Sequence, residues 1–235
     1  MIVKNRSTHD RILLPCLGQL DESQQNAMLA FFDTLPLYQS AMQDIVGKFE
    51  ELDSEFTLLC GHNPIHQTKS RIKTHESIVE KALKRNHPIT LESLHKNITD
   101  VAGLRVVCRY TSDLYLLGGT LLAHPDIRLL RQSDYIKAPK ANGYRSLHLI
   151  VGVPLTHAQS TQIIPVEIQL RTIAMDMWAS LEHEIRYKSE KGVPEAEAVE
   201  LNRCAQDLSR IDGRMEAMYM RIHRPANPHE MPIND

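Results

Sequence analysis

The chain has 235 residues, a formal net charge of −2 and 24% charged residues. This length suffices for one sizeable α/β domain with helical extensions or for two small domains, and the 42% of hydrophobic residues is ordinary for a globular protein. The near-neutral balance disfavours a protein whose main partner is long nucleic acid, although it is compatible with a local basic pocket.

The cysteines and the apolar runs indicate the compartment. The four cysteines, Cys16, Cys60, Cys108 and Cys204, show no Cys-x-x-Cys spacing, which favours reduced thiols over a structural zinc site. No apolar run approaches the length of a membrane span, and the N-terminus lacks the apolar core of a signal peptide. We therefore expect a cytoplasmic protein with no membrane partner.

The first 60 residues are predicted to be mainly helical. Ile12 to Leu14 is either a short strand or a docked tail. N-cap candidates at Asp21 to Ser23 predict a helix that ends near Thr34, before a proline. A second helix is expected over Tyr38–Leu59 and is closed by Gly61. Its apolar stripe comprises Ala41, Ile45, Phe49 and Leu52.

A basic segment follows, and its pattern predicts a strand that runs into a helix. Arg71 and Lys73 share a strand face, and Thr74 is a good N-cap. Ser77, Lys81 and Lys84 then fall on one helical face at spacings of four and three. Converging cations on rigid elements suit a polyphosphate. A solvated basic helix explains the same charges, and this segment alone favours that plainer interpretation.

The next predicted elements are a short helix near Leu91 to Lys96 and a strand over Leu104–Tyr110. We expect Gly103 to end a helical turn before that strand. Asp100 lies in the intervening loop, where a carboxylate can hold Mg²⁺. An isolated loop aspartate is more often a cap or turn residue.

The middle of the chain predicts a helix over Ser112–Ala123, a strand over Ile127–Ile136 and then a shaped loop containing Asn142-Gly143. A further strand is expected to start at Tyr144. Three side chains, Tyr144, Ser146 and His148, would then share one face, as on a surface that stacks a base and binds phosphate. A lone tyrosine or histidine more often belongs to a core or a solvated face.

The strongest strand pattern lies at Ile163–Arg171, after a predicted loop over Pro154–Thr161. Its apolar residues Val166, Ile168 and Leu170 alternate with Glu167, Gln169 and Arg171. A carboxylate, an amide and a guanidinium on one face are typical of a polar substrate floor, although a solvated face has the same pattern.

Two amphipathic helices are expected after this strand, from Thr172 to about Glu190 and over Glu195–His223. The second has little to pack against within one domain, so we expect it to form an oligomer surface together with the N-terminal helices. Its apolar stripe is Leu201, Leu208, Ile211, Met215 and Met218. The tail from Pro225 is predicted to be disordered.

Taken in order, the polar motifs point to one family. They are Arg71-x-Lys73-x-x-x-Ser77-x-x-x-Lys81, Asp100-x-x-Gly103-x-Arg105, Lys140-x-Asn142-Gly143-Tyr144-x-Ser146-x-His148 and Glu167-x-Gln169-x-Arg171. This series closely resembles the synthetase domain of the RelA/SpoT alarmone synthetases, over roughly Lys69 to Lys188. The chain is too short for the long bifunctional members, and His9-Asp10 is an isolated dipeptide rather than a hydrolase metal motif. We therefore expect a small stand-alone synthetase.

The resemblance implies an α/β (α+β) fold, in which a mixed β-sheet of about five strands is flanked by helices, of nucleotidyltransferase-like type with helical extensions at both ends. The expected parts are an N-terminal helical extension (1–65), the synthetase domain (66–190) and a C-terminal helix with a disordered tail (191–235). The implied reaction moves pyrophosphate from ATP to the 3′-hydroxyl of GTP or GDP and yields pppGpp or ppGpp plus AMP. A homotetramer is favoured over a dimer.

The resemblance also implies residue roles. Arg71 and Arg105 would sandwich adenine, and Asp100 would bind Mg²⁺, with Glu167 as a second metal ligand or the general base. Tyr144 would stack on guanine. The ATP phosphates would be held by Lys73, Ser77, Lys81 and Lys84, and the acceptor nucleotide would be contacted by Lys140, Asn142, His148 and Gln169. Asp176 stands where some small synthetases carry Asn.

Two alternatives stay open. A toxin-like relative would place pyrophosphate on tRNA 3′ ends or on adenosine nucleotides, and the local cations at Lys81, Lys84 and Arg85 are compatible with RNA, although the net charge does not indicate RNA binding. A non-catalytic nucleotide sensor is disfavoured because it has no need of both Asp100 and Glu167.

Overall fold

The computed structural model describes residues 15–85, 87–157, 160–187 and 193–223. The predictions for Ile12 to Leu14 and for the tail from Pro225 lie outside these ranges. The elements are helices α1 (Glu22–Phe32), α2 (Leu35–Cys60), α3 (His75–Lys84), α4 (Leu91–Asn97), α5 (Thr111–Ala123), α6 (Ile173–Tyr187) and α7 (Glu195–Ile222), and strands β1 (Ile65–Ile72), β2 (Ala102–Cys108), β3 (Arg128–Asp134), β4 (Leu147–His157) and β5 (Ser160–Thr172).

The strands of the described chain form one mixed sheet in the order β1-β2-β5-β4-β3. Neighbouring strands are antiparallel except for β2 and β5, which are parallel. This arrangement confirms the predicted mixed five-stranded sheet flanked by helices. It also places β5, the strand with the strongest alternation, at the centre of the sheet, where its two faces meet different surroundings.

The N-terminal helices pack into the same hydrophobic core as the sheet. A reciprocal capping box between Asp21 and Gln24 begins α1, and Gly61 ends α2 with φ +70°. Ala41, Ile45 and Phe49 are fully buried, as the predicted stripe requires. The second helix starts earlier than predicted because its proline lies in the first turn, where a missing N–H leaves no helical bond unmade.

The apolar face of the sheet is covered by α2 and α5. Leu104, Ile168 and Leu170 are buried on this face. The paired glycines do not interrupt α5, and Gly118 faces the sheet, where Leu149 and Leu170 lie 3.6 and 3.9 Å from the position that a Cβ would take. The opposite face of the sheet is therefore free to carry polar groups.

Three further sequence-based boundaries, all at the sheet, are wrong. Gly103 does not end a helical turn; it lies inside β2, paired with Arg71 on one side and Glu167 on the other. Within the loop predicted over Pro154–Thr161, residues 154–157 and 160–161 are instead paired strand, and Pro154 is tolerated because β3 accompanies β4 only as far as Gly152.

The third wrong boundary is the start of β4, which begins at Leu147 rather than Tyr144. Ser146 precedes the strand with its hydroxyl donating to the Leu170 carbonyl at 3.0 Å. It is fully buried and does not join Tyr144 and His148 on the polar face.

The C-terminal helices pack on each other beside the sheet. Trp178 of α6 is buried, and its Nε1 donates to the Leu201 carbonyl of α7 at 2.9 Å. The helix α7 therefore has more to pack against than the sequence predicted, although its apolar residues Ile211, Met215 and Met218 stay about half exposed. No described helix is both long enough and apolar enough to cross a membrane.

Candidate active site

The polar face of the sheet gathers most of the predicted site residues. Directly paired residues point to the same side of a sheet, so the register places Arg71 and Glu167 in one row and Arg105, Gln169 and His148 in the next. A cavity of about 190 Å³ opens on this face. Its lining includes Lys69, Arg71, Asp100, Gly103, Arg105, Glu167 and Gln169.

Lys73, directly after strand β1, and Lys81 of helix α3 converge on Asp100. The pattern of the basic segment allowed such a convergence of cations, although by itself it favoured a solvated helix. The Thr74 hydroxyl accepts from the Ser77 amide and so caps α3. Lys73 Nζ lies 2.9 Å and Lys81 Nζ 2.5 Å from Asp100 Oδ2. These two lysines therefore do not belong to a solvated helix face, because both form ion pairs with one carboxylate at the edge of the cavity.

The electrostatics of this cluster are set by burial and pairing. Burial by itself raises the pKa of Asp100, but hydrogen bonds from Lys81 and Lys73 outweigh it and hold that pKa below its ordinary value. Burial also lowers the pKa of Lys81 in spite of Asp100. The second oxygen of Asp100, Oδ1, is buried without a hydrogen-bond partner among the described residues, so it is available to a ligand.

Ser77 and Lys84 extend this cluster along α3. Ser77 is half-buried, and its hydroxyl accepts from that of Thr74 at 3.1 Å. Lys84 is exposed in the last turn, and no ion pair within the described ranges holds it. The helix thus presents one cation at the carboxylate and another toward open solvent.

Glu167 is the second carboxylate of the site. Gln169 Nε2 donates to its Oε2 at 3.1 Å, and His148 Nδ1 lies 3.5 Å from its Oε1. Burial raises the pKa of Glu167, but the contacts with His148 and Gln169 outweigh burial and hold this pKa below the ordinary value. Glu167 is therefore ionised at neutral pH and able to accept a proton or bind a cation.

A chain of hydrogen bonds runs from Glu167 through Gln169, Arg171 and Tyr144 to His148, whose Nδ1 lies 3.5 Å from Glu167 Oε1. His148 Nε2 lies 2.7 Å from the Tyr144 hydroxyl, Arg171 donates to that hydroxyl at 2.7 Å and to Gln169 Oε1 at 2.9 Å, and Gln169 donates to Glu167. Because a guanidinium only donates, the Tyr144 oxygen accepts from Arg171, which leaves its own proton available to His148 Nε2. The Nδ1 atom of His148 faces Glu167.

The loop before β4 presents Tyr144 and is fastened to α6 and α7. Gly143 has φ +91°, which a glycine adopts at low cost. Asn142 Nδ2 donates to Glu182 at 3.1 Å, and Asn202 donates to the Ala141 carbonyl at 2.8 Å. Lys140 is exposed, with its Nζ 4.8 Å from the centre of the Tyr144 ring. The predicted acceptor-side residues are therefore gathered at one end of the polar face.

Arg171 and Asp176 also belong to the site, although the sequence assigned no role to Arg171 and marked Asp176 only by its residue type. Arg171 is 5% exposed, and its NH1 donates to Asp176 Oδ1 at 3.1 Å; Arg105 NH1 forms an ion pair with the same oxygen at 3.2 Å. The alternation of β5 had placed Arg171 on the polar face. No pattern in the sequence predicted that Asp176, in the first turn of α6, would contact Arg171.

The residues present fit a magnesium ion. The described ranges contain no group of three or more histidine, cysteine, aspartate or glutamate side chains able to hold a metal by themselves. Asp100 and Glu167 are close enough for the charge of one to raise the pKa of the other, and Asp100 Oδ1 is unpartnered. Mg²⁺ commonly takes one or two carboxylates and completes its shell with substrate phosphates and water.

A polar sheet face with converging lysines, flanking arginines and two ionised carboxylates defines a transferase that handles phosphorylated nucleotides. A sequence profile described as "Region found in RelA / SpoT proteins" matches residues 70–192, about half of the chain. The chain belongs to the RelA/SpoT family.

Individual relatives agree with this assignment. The chain is 42% identical to GTP pyrophosphokinase YwaC of Bacillus subtilis (strain 168) over 181 residues, which cover 77% of this chain and 86% of the relative. The structure of small alarmone synthetase 2 from Bacillus subtilis is 39% identical with a TM-score of 0.72, covering 80% of this chain and 97% of that one. Small alarmone synthetase 1 of the same organism, solved with its product pppGpp, is 33% identical with a TM-score of 0.71, covering 79% and 94%.

Proposed function

We propose that this chain is a GTP diphosphokinase, which transfers pyrophosphate from ATP to the ribose 3′-hydroxyl of GTP or GDP and so makes the alarmones pppGpp or ppGpp. The observation that carries the proposal is the meeting of Lys73, Lys81 and two carboxylates, Asp100 and Glu167, on one polar face. Membership of the RelA/SpoT family and 42% identity to a GTP pyrophosphokinase support it.

In the donor subsite, ATP lies along β1, β2 and α3. Arg71 and Arg105 occupy adjacent rows of neighbouring strands, and their flat guanidinium groups suit stacking on adenine. The triphosphate of ATP binds the two lysine side chains that are now paired with Asp100. The phosphate-binding residues of this proposal are Lys73, Ser77, Lys81 and Lys84. Positioning and neutralised charge are what a phosphoryl-type transfer needs from the protein.

Asp100 and Glu167 are proposed to hold Mg²⁺. Once bound, the ion supplies positive charge to the transferring phosphates. When phosphate oxygens draw Lys73 and Lys81 away, Asp100 loses its present partners, so the charge of the carboxylate is freed for the metal.

The acceptor lies against Tyr144, which stacks on guanine, with contacts from Lys140, Asn142, His148 and Gln169. Its 3′-oxygen attacks the β-phosphorus of ATP, a new O–P bond forms, and the bond between the β-phosphorus and the oxygen of AMP breaks. Glu167 accepts the proton of the 3′-hydroxyl. Its lowered pKa keeps it ionised at neutral pH, and the Nδ1 hydrogen of His148 orients the carboxylate.

Two exposed apolar stripes support a homo-oligomer, which we propose to be a tetramer rather than a dimer. On α6 the stripe follows a spacing of four residues and comprises Ile173, Met177, Leu181 and Ile185, each 44–52% exposed. On α7 it comprises Ile211, Met215, Met218 and Ile222, each 47–68% exposed. Contiguous exposed apolar residues mark association surfaces.

We place the enzyme in the cytoplasm, in keeping with its scattered cysteines.

The test is one incubation of the protein with ATP labelled on the γ-phosphate and Mg²⁺, with GDP, GTP, no added acceptor and bulk tRNA as separate arms. We expect label to move to GDP or GTP with an equal release of AMP. Transfer only to tRNA or to adenosine nucleotides would overturn the assigned acceptor and favour the toxin-like alternative. Binding of nucleotides without any transfer would favour the sensor.

A further inference from the structure

We propose that Arg171 and Asp176 form a positioning pair that ties the donor subsite to the acceptor subsite, so that binding of one nucleotide strengthens binding of the other. The inference rests on the proposed function and deepens it. Neither residue belongs to the proposed substrate-contacting set, and the pair stands between its two halves.

Arg171 organises the acceptor half. Its NH2 donates to the Tyr144 hydroxyl at 2.7 Å and to Gln169 Oε1 at 2.9 Å, and its NH1 donates to Asp176 at 3.1 Å. The guanidinium also lies 5.1 Å from the centre of the Tyr144 ring. Only a planar fork of donors reaches all of these partners at once, so a lysine at this position satisfies fewer of them.

Asp176 joins this fork to the donor half. One oxygen, Oδ1, accepts a hydrogen bond from Arg171 NH1 and forms an ion pair with Arg105 NH1 at 3.2 Å, and the side chain is 15% exposed. Asp176 lies in the first turn of α6, where the helix dipole favours a negative charge. The carboxylate therefore balances two cations, one in each subsite.

The contacts make a continuous path between the subsites. It runs from Arg105 through Asp176, Arg171 and Gln169 to Glu167, and a branch from Arg171 passes through Tyr144 to His148. Adenine stacked on Arg105 holds that guanidinium in place and so holds Asp176. Asp176 in turn holds Arg171 in the position from which it donates to Tyr144 and Gln169. Thermodynamic linkage requires the reverse effect to have the same size.

A residue that serves the fold alone leaves the coupling between ligands unchanged, so coupling is the decisive measurement. Isothermal titration calorimetry gives the affinity of GDP with and without a non-hydrolysable ATP analogue in Mg²⁺, and the ratio of the two affinities is the coupling factor. Initial rates over both substrate concentrations give the two KM values and kcat. We expect a coupling factor of about fivefold or more for the unaltered protein.

The variants separate the two members of the pair. Asp176→Asn is expected to bring the coupling factor to about one. Asp176→Glu, which keeps the charge, is expected to restore part of it. Arg171→Lys is expected to weaken GDP binding about tenfold with a much smaller change for the ATP analogue, because the fork contacts the acceptor residues directly. Asp207→Asn and Arg203→Lys, which alter exposed ion pairs on α7, are the matched controls and should change neither quantity.

Several outcomes would overturn the inference. One is an unaltered protein that transfers pyrophosphate but shows no coupling; another is an Asp176→Asn variant that keeps the full coupling factor. If Arg171→Lys fails to fold, as its melting curve will reveal, the Asp176 variants decide. Failure of the unaltered protein to transfer pyrophosphate to any guanine nucleotide refutes the proposed function instead, so the two failures are distinguishable.

Discussion

Replacement of Glu167 by glutamine tests the chemistry of the site most directly. The substitution keeps the size of the side chain and its hydrogen bond with Gln169, because an amide oxygen can accept in place of a carboxylate oxygen. It removes the negative charge that His148 and Gln169 stabilise against burial. A neutral amide cannot accept the proton of a 3′-hydroxyl and is a poor ligand for Mg²⁺.

The expected size of the effect follows from these losses. General-base catalysis contributes about 10²–10⁴-fold in rate, so we expect kcat to fall by at least that factor, which is about 3–5 kcal/mol in activation free energy. Binding of GDP and of a non-hydrolysable ATP analogue without metal should change little, because the cations and Tyr144 remain.

The assay measures kcat as AMP release, and calorimetry measures both affinities. Glu200→Gln, which alters an exposed carboxylate paired with Arg203 on α7, is the control and should keep full activity. Near-normal turnover of the Glu167 variant would refute its assignment as base and metal ligand. Loss of nucleotide affinity in parallel with loss of turnover would show that Glu167 acts mainly in binding.

Three further predictions concern the surroundings of this carboxylate. Tyr144→Ala should raise the KM for GTP or GDP while the KM for ATP stays unchanged, and an unaltered dependence on acceptor concentration would contradict stacking. Gly143→Ala should weaken acceptor binding and destabilise the protein by about 1–3 kcal/mol, because φ is +91° and the new methyl group would lie 2.7 Å from Ala205 Cβ. The control is Gly213→Ala, since a methyl group there would have nothing within 4 Å. Equal melting temperatures for the two variants would contradict the predicted strain at Gly143. Asp100→Asn should lower the melting temperature at pH 7 by several degrees, since charge-assisted hydrogen bonds contribute about 1.5–3 kcal/mol. The pKa of Asp100 is lower in the folded protein than in the unfolded chain, so the ionised carboxylate stabilises the fold fully above the unfolded pKa of about 3.9 and loses this effect as the pH falls through the folded pKa. Calorimetry should therefore show that the difference in melting temperature between the unaltered protein and the variant shrinks only in strong acid.

The sequence predicted those features that depend on residues near one another in the chain. The alternation in β5 assigned Glu167 and Gln169 to the polar face, and the N-cap at Thr74 together with the helical spacing placed Lys81 toward the ligand side of α3. Such patterns reflect the periods of strand and helix, which are properties of the local backbone. The order of the motifs then indicated the family.

Boundaries that depend on neighbouring strands were predicted wrongly. Gly103 looks like the end of a turn, yet it is strand because β1 and β5 pair with it on both sides. Pro154 looks like a loop residue, yet it continues β4 because β3 ends before it. In both cases hydrogen bonding across the sheet outweighs the conformational preference of a single residue.

Only the tertiary structure brought the two subsites into contact. Asp176 is five residues beyond Arg171, but its contact with Arg105 depends on β2 lying parallel to β5 and on α6 turning back over both. The packing of Trp178 against α7 likewise decides which face of α6 is left with the exposed apolar stripe. Local periodicity determines which side chains share a face, whereas the packing of separate elements decides which faces meet, and the second depends on contacts between residues far apart in the chain.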